Sequence, residues 1–210
     1  MEPKGVDRVA DIKPTKLEWN LVVGVARIYR IPCQWISKDA YSMELVLQDK
    51  HGDRILCSIP YESVSIYECL MKENRIYSMS NFIVKVHRSG LKVTSHKYKL
   101  GVFLKTNARI LSDDVFPFSP FRFTPFREIA EMCASNNIFL IVVGKESPEN
   151  IVTKTGQSSK RLRLYLEDVE KNKMKCTLFG DFVGEALSFL EKTDVQPLVL
   201  VGQLFKPHVW

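Results

Sequence analysis

Short apolar runs separated by turns follow one another through the first hundred residues. Their order is three strands, a helix and two more strands, with Pro60 between the third strand and the helix. The predicted strands lie at residues 20–31, 40–49, 54–59, 75–87 and 91–100, and the predicted helix at residues 62–71. The second and third strands read as a hairpin, because a turn of polar residues and Gly52 separates them. This order is that of the OB-fold, a small five-stranded Greek-key barrel.

The second half of the chain repeats the start of this pattern. Its clearest strand is RLRLYLE at residues 161–167, in which apolar and polar side chains alternate strictly. The predicted strands lie at residues 138–144, 161–167, 174–179 and 197–204, and the predicted helix at residues 181–190. The chain ends at Trp210, where a fifth strand is expected. We therefore predict an all-β protein with short helices, built from two tandem OB-fold barrels of which the second is incomplete.

A phenylalanine- and proline-rich segment separates the two halves. Residues 116–126 (FPFSPFRFTPF) contain five phenylalanines and three prolines, and proline stiffens a chain towards extended conformations. The aromatic rings either pack against the barrels or stand exposed to stack on bases, and packing is favoured because exposed rings invite aggregation. The predicted domains are residues 1–112 and 128–210, with a linker at 113–127.

Composition and charge narrow the class of protein. With 45% hydrophobic residues in 210, the chain has enough apolar material for packed cores, which excludes disorder throughout. No run approaches the roughly 18 apolar residues of a membrane span, and the first 20 residues lack the apolar core of a secretory signal. The net charge is +6, and residues 74–112 contain basic but no acidic side chains. A one-signed basic surface attracts polyanions, although such a run can equally be a solvated face.

The sequence carries no recognisable catalytic motif. Phosphate-binding glycine loops, nucleophile elbows and HExxH are absent, and the carboxylate pairs are neighbours in turns or on the surface. The five cysteines include no Cys-x-x-Cys pair, so neither a zinc site nor a disulfide framework is predicted. We therefore expect a protein that is not an enzyme and that has no cofactor.

An OB barrel binds single strands in a curved groove, through basic side chains along the backbone path and aromatic rings that stack on bases. Aromatic residues on strands more often pack in the core, but Trp35 follows the first strand in a polar loop, where exposure is favoured. The candidate binding residues of the first barrel are Arg27, Arg30, Arg54, Lys85, Arg88 and Lys92, with Trp35, Tyr41 and Tyr61 as aromatic candidates.

The sequence resembles the tandem central DNA-binding OB domains of the large subunit of replication protein A, especially its shorter plant-type relatives. The resemblance covers nearly the whole chain. The matching stretches are EWNLVVGVARIYRIPCQW, YSMELVLQDKHGDRI and ENRIYSMSNFIVKV in the first half, and FLIVVGK, RLYLEDVEKNKMKCTLFGD and PLVLVGQ in the second.

The resemblance implies roles for particular residues. Trp35 falls at a family tryptophan in the first loop of the first barrel, and Lys85 at a basic position that contacts DNA in the family. In the second barrel, Arg161 falls at a DNA-contacting lysine and Phe179 at a base-stacking aromatic. The first barrel departs from the family at its two stacking positions, which Ile59 and Leu91 occupy, and Tyr61 replaces the first ring only if its strand continues past Pro60.

These observations favour a non-catalytic single-stranded DNA-binding protein. The resemblance implies a nuclear protein of DNA replication, repair or recombination, with other replication protein A subunits or repair proteins as further partners. Ile59 and Leu91 motivate an alternative, an OB-fold protein-interaction module that has lost strong nucleic-acid binding. The missing strand motivates a third, a degraded relative whose second barrel does not fold stably alone.

Overall fold

The computed structural model describes residues 5–33, 41–87, 93–121, 123, 128, 137–153, 156–168, 170–192 and 198–203. The chain divides into two compact units, the first holding the described residues up to Phe121 and the second those from Phe123 onwards. The first unit contains β1 (Asn20–Pro32), β2 (Tyr41–Gln48), β3 (Arg54–Ile59), α1 (Tyr61–Tyr67), β4 (Ile76–Ser80), β5 (Ile83–Val86), β6 (Tyr98–Gly101) and β7 (Asn107–Ile110). The second contains β8 (Asn137–Lys145), β9 (Glu149–Val152), β10 (Ser158–Glu167), β11 (Lys173–Phe179), α2 (Asp181–Lys192) and β12 (Val199–Gln203).

The first unit is a closed barrel. Strand β1 pairs antiparallel with β2 on one side and β4 on the other, and β2 pairs antiparallel with β3. Strand β3 pairs parallel with β6, while β4–β7 and β5–β6 are antiparallel pairs. Because β4–β5 and β6–β7 are each one strand with a break, the seven short strands form the five strands of an OB barrel.

The breaks between β4 and β5 and between β6 and β7 are adjacent, and hydrogen bonds join them. Asn81 has a φ of 59°, which ends β4, and its side chain donates a hydrogen bond to the carbonyl of Lys105 at 2.7 Å. The Thr106 hydroxyl donates to the carbonyl of Asn81 at 2.8 Å. The prediction of a continuous strand at residues 91–100 is wrong in its bounds, since β6 begins only at Tyr98.

The core of the first unit lies inside its barrel. The inward residues of β1, β2 and β3 alternate with outward ones, and Leu21, Leu45 and Ile55 are among the fully buried. Helix α1 covers one end with Val64 and Tyr67. The Tyr67 hydroxyl donates towards the carbonyl of Thr106 at 2.7 Å, which ties the helix to the break before β7.

The second unit repeats this order up to its fourth strand. Strand β8 pairs with β10 and β12, and β10 pairs with β11. In chain order, β8, β10, β11 and β12 therefore correspond to β1, β2, β3 and β4. The inward leucines of β10 form a core with helix α2, centred on Leu164 and Val183. Strand β9 was not predicted; it extends the pairing of β10 beyond β8. Residues 204–210, where a fifth strand was expected, lie outside the described residues. No helix in the described part of the chain is long and apolar enough to cross a membrane.

Both barrels close the hairpin between their second and third strands with the same aspartate turn. In the first, the buried Asp49 carboxylate accepts hydrogen bonds from the backbone N–H groups of His51 at 2.9 Å and Asp53 at 3.0 Å. In the second, Asp168 accepts from the N–H groups of Glu170 at 2.9 Å and Asn172 at 2.8 Å. The shared turn supports the prediction that both units have the same fold.

The start of the phenylalanine-rich segment packs on the outer side of the first barrel. Phe116 is buried against Val22 and Ile76, and its ring meets that of Phe118 edge to face with centroids 6.2 Å apart. The Phe118 ring lies directly over Gly24 of β1, where a Cβ atom would stand 2.6 Å from the ring. Residues 113–121, which the sequence analysis placed in the linker, thus belong to the first unit.

Replacing Gly24 by alanine is expected to displace Phe118 and to lower the free energy of unfolding by about 1–3 kcal/mol, as overpacking typically does. Urea unfolding measures the change, and Gly184→Ala is the matched control. In the described part of the chain, nothing beyond the neighbouring residues and backbone of α2 itself lies within 4 Å of a Cβ at Gly184, so alanine there raises stability by about 0.5–1 kcal/mol. Equal effects of the two substitutions would contradict the placement of Phe118.

Candidate nucleic-acid interface

The outward side of β1, β2, β3 and their neighbours β6 and β5 carries a group of polar side chains on the first barrel. Pairing places Tyr29 opposite Glu44, and Glu44 opposite Ser58. Next to them, Lys85 of β5 is paired with Lys99 of β6. We call this group the first-barrel face and define it by Tyr29, Glu44, Ser58, Lys85 and Lys99.

A buried carboxyl group lies at the centre of the first-barrel face. Glu44 is 5% exposed, and its Oε2 accepts a hydrogen bond from the Ser58 hydroxyl at 2.7 Å. The Lys99 Nζ donates to the same hydroxyl at 3.0 Å. Burial raises the pKa of the Glu44 carboxyl above its ordinary value of 4.5, while Ser58 and the positive charge of Lys99 act in the opposite direction.

This carboxyl predicts a stability difference that depends on pH. Because its pKa is raised in the folded protein, Glu44 contributes stability that is complete below about pH 4.5 and is lost as the pH rises through the folded pKa. We expect Glu44→Gln to gain stability relative to the unsubstituted protein between pH 4.5 and 7, as measured by urea unfolding at several pH values.

Glu68→Gln is the control for this pH dependence. The hydrogen bond from Tyr41 lowers the pKa of the Glu68 carboxyl, so its contribution is lost only as the pH falls below about 4.5. A flat difference for Glu44→Gln between pH 4.5 and 7 would contradict the burial of its carboxyl group.

Two lysines provide the positive charge of the first-barrel face. Lys85 is exposed, and its aliphatic stem lies over Gly101, where a Cβ would stand 3.3 Å from Lys85 Cε. Lys99, its cross-strand partner, is half-buried beside Ser58. Lys85 was predicted from the sequence, whereas Lys99 was noted only as part of the basic stretch; register alone brings the two together.

Arg54, a predicted contact of the first barrel, forms hydrogen bonds within the first unit. It is 8% exposed, and its guanidinium donates to Gln48 Oε1 at 2.9 Å and to the carbonyl of Pro120 at 2.9 Å. It therefore holds the 113–121 segment on the barrel. Sequence reasoning could not find this, because Pro120 lies 66 residues further along the chain.

Two other predicted contacts lie off the first-barrel face. Arg30 pairs with Met43, a core residue, so it projects on the other side of β1; it forms an ion pair with Glu68 at 2.5 Å and lies over the Tyr41 ring. Tyr61 is 44% exposed but is the first residue of α1, so it does not continue β3 and cannot replace a strand aromatic.

Of the remaining predicted positions of the first barrel, Arg27 forms an exposed ion pair with Glu73 at 3.2 Å, one position is buried and four are not described. Ile59 is fully buried in the core, so it offers no surface to a base or to a protein partner. Trp35, Arg88, Leu91 and Lys92 lie outside the described residues.

The second barrel brings its two predicted contacts together. Arg161 of β10 and Phe179 of β11 are direct cross-strand partners, so their side chains share the outer side of the sheet. Phe179 is 52% exposed, which leaves its ring accessible. A cation beside an exposed aromatic ring matches the two needs of a single strand, namely charge for phosphate and a flat surface for a base.

Three further residues extend this surface, and sequence reasoning did not single them out. Arg163 and Tyr165 follow Arg161 at alternate positions of β10, and Lys175 is the cross-strand partner of Tyr165, with its Nζ 5.4 Å from the ring centroid. The alternation in RLRLYLE carried this signal, because it places both arginines and the tyrosine on one side. We call Arg161, Arg163, Tyr165, Lys175 and Phe179 the second-barrel face.

Two glutamates border the second-barrel face. Glu149 pairs with Arg161, and Glu146 accepts hydrogen bonds from Arg163 at 2.7 Å and from the Tyr165 hydroxyl at 2.5 Å. Hydrogen bonds lower the pKa of both carboxyl groups. The largest effect on Glu146 comes from the Tyr165 hydroxyl, and the largest effect on Glu149 comes from Arg161. Among the described residues no group of three or more histidines, cysteines and carboxylates is placed to hold a metal ion.

Comparison with known families agrees with this architecture. The model of a family described as a domain of unknown function, DUF223, matches residues 10–132, more than half of the chain. The chain belongs to the DUF223 family. DUF223 is the plant OB-fold family similar to replication protein A, which confirms the predicted resemblance. Among curated proteins, none matches the DUF223 chain in sequence.

Solved structures similar to the DUF223 chain include a replication protein A heterotrimer bound to single-stranded DNA, with a TM-score of 0.58 and 18% identity. That match covers 93% of the DUF223 chain and 46% of the other, so the chain spans about half of its relative's length. It confirms the predicted all-β OB fold. A weaker match is DNA-binding domain A of S. cerevisiae replication protein A, with a TM-score of 0.39 and 14% identity over 51% of this chain and 94% of that one. Another is the Thermus aquaticus single-stranded DNA-binding protein, with a TM-score of 0.30 and 10% identity over 89% of this chain and 83% of that one.

Proposed function

We propose that this protein is a non-catalytic single-stranded DNA-binding protein. The observation that carries the proposal is the second-barrel face, on which Arg161 stands beside the exposed ring of Phe179 and Tyr165 stands beside Lys175. The OB fold supports it, because this fold binds oligonucleotides on the outer side of its second and third strands. In the second unit these strands are β10 and β11, which carry the whole face.

Binding combines two sequence-tolerant forces. Cations neutralise phosphates and release condensed counterions, which makes the affinity depend on salt. Aromatic rings stack on bases with about 1–3 kcal/mol each, whichever the base. Lys85 and Lys99 supply charge on the first-barrel face, and Phe179 and Tyr165 supply rings on the second. We therefore expect little sequence preference.

Fluorescence anisotropy of a labelled thymine oligonucleotide of about 20–30 nucleotides tests the proposal directly. The protein is titrated at low and at moderate salt, with a duplex of the same length as control. Salt-dependent binding that prefers the single strand supports the proposal. Absence of binding at low salt overturns it, and co-purification of a protein partner would then favour the interaction-module alternative.

Lys85 gives a quantitative test of the first-barrel face. If its ammonium contacts one phosphate, Lys85→Gln lowers the slope of log K against log salt concentration by about 0.7, the value per phosphate of a single strand. The control is Lys72→Gln, another exposed lysine of the first unit, between α1 and β4. An unchanged slope for Lys85→Gln would remove this lysine from the interface.

We further propose that the protein acts in the nucleus, in DNA replication, repair or recombination, with other replication protein A subunits or repair proteins as partners. The support is the family resemblance; the similar solved structure is a heterotrimer on single-stranded DNA. Imaging of a fluorescent fusion after replication stress tests this role. Nuclear foci that coincide with single-stranded DNA support it, and exclusion from the nucleus contradicts it.

A further inference from the structure

The cations of the second-barrel face already have anionic partners within the protein. Arg161 donates from Nε to Glu149 Oε2 at 3.2 Å and from Nη2 to the same oxygen. Arg163 Nη1 donates to Glu146 Oε2 at 2.7 Å and lies 3.4 Å from Glu149 Oε1. Both guanidinium groups thus face carboxylate oxygens at the place where a strand of DNA would present phosphate.

The aromatic side of the face is held by the same carboxylates. The Tyr165 hydroxyl donates to Glu146 Oε1 at 2.5 Å, and Lys175 Nζ lies 3.9 Å from that oxygen. A carboxylate and a phosphate present similar pairs of oxygens to a guanidinium fork, so the two anions compete for one set of donors.

The two glutamates can be displaced without unfolding the barrel. The Glu149 side chain is about half exposed and Glu146 is partly exposed, and neither belongs to the buried core. Glu146 directly follows β8 and Glu149 begins β9, and both of these strands pair with β10. Rotation of the two side chains therefore frees the arginines while the backbone pairing stays in place.

We propose that Glu146 and Glu149 set the affinity of the second-barrel face by occupying the donors of Arg161 and Arg163 until phosphate groups displace them. This inference rests on the proposed function. The carboxylates also hold the guanidinium groups in one orientation, which lowers the entropy that a phosphate contact would otherwise cost. The low pKa of both carboxyl groups keeps them charged through the neutral range, so no pH change near 7 relieves the competition.

The test compares two double variants of the full chain with the same change in charge. Glu146→Gln with Glu149→Gln removes the competing carboxylates, whereas Glu185→Gln with Glu191→Gln removes two exposed carboxylates of α2. We expect the first variant to bind the thymine oligonucleotide about two- to thirtyfold more tightly at 0.1 M salt, the range for its two main ion pairs, Arg161–Glu149 and Arg163–Glu146. We expect the control to change affinity less than twofold at 0.1 M salt, because screening weakens distant charges.

A second comparison separates direct competition for the arginines from the general effect of removing negative charge. In an Arg161→Ala/Arg163→Ala background, the gain from the two glutamine substitutions should disappear. Equal gains from both double variants, or a gain that persists without the arginines, overturns the inference. Glu149→Gln alone provides a milder version, since the Glu149 side chain forms ion pairs with both arginines.

The outcomes also distinguish this inference from the proposed function. Binding by the unsubstituted protein with no gain from the glutamines leaves single-stranded DNA binding intact and overturns the role of the glutamates. Binding only after the carboxylates are removed supports the role of the glutamates and overturns single-stranded DNA binding by the unsubstituted protein. No binding by any of these proteins, with circular dichroism showing intact folds, overturns both.

Discussion

Replacement of Phe179 by alanine is expected to weaken binding of a thymine oligonucleotide about 5- to 150-fold. The substitution removes one base-stacking ring, which contributes about 1–3 kcal/mol. Phe179 is half exposed at the end of β11, so its loss leaves the core of the second unit unchanged. Anisotropy titration at a fixed salt concentration measures the effect.

Phe182→Ala is the matched control for this loss. Phe182 is 67% exposed at the start of α2, three residues from Phe179, and lies off the second-barrel face. Its removal should leave affinity within about twofold, the scale of a change without direct contact. Equal losses from both substitutions would show that the ring of Phe179 does not stack on a base.

Replacement of Asp49 by alanine is expected to cost the first unit about 3–5 kcal/mol of stability, most of what a small domain has. The Asp49 carboxylate is buried and accepts backbone N–H groups from Val9 at 3.0 Å, and from His51 and Asp53 within the turn. Alanine leaves these donors without an acceptor inside the fold. Asparagine retains one oxygen, so Asp49→Asn should lose less.

Urea unfolding measures this loss in a background in which Trp35 and Trp210 are phenylalanine, so that the fluorescence of the buried Trp19 reports on the first core. The control is Asp53→Ala. Its carboxylate makes an exposed ion pair with Arg8 at 3.2 Å, and such a pair contributes about 1 kcal/mol or less. Similar losses from both alanines would contradict the role of the aspartate turn.

The sequence pattern predicted the strands best where local alternation decides them. RLRLYLE lies within β10, and the register of β10 with β11 makes Arg161 and Phe179 cross-strand partners. A strand buried on one side must alternate, so its inward leucines identify its outward residues as well.

Contacts between distant parts of the chain explain what the pattern missed. The left-handed backbone at Asn81 breaks the fourth strand, and a hydrogen bond from Thr106 secures that break. Arg54 looks like an available cation in the sequence because nothing near it signals the carbonyl of Pro120. Tyr61 begins α1 because Pro60, which has no backbone N–H, ends the hydrogen-bonded ladder of β3. The alternation of apolar and polar residues does not show where that strand ends.

The contact between the Phe118 ring and Gly24 also restricts which residue pairs relatives of this protein can carry at these two positions. The ring occupies the volume that any side chain at position 24 would need, so the two residues share one fixed space. Relatives with alanine or serine at position 24 should therefore carry a smaller residue at position 118, and relatives that keep the ring should keep the glycine. Substitutions at these two sites, 94 positions apart, should be inherited as a pair.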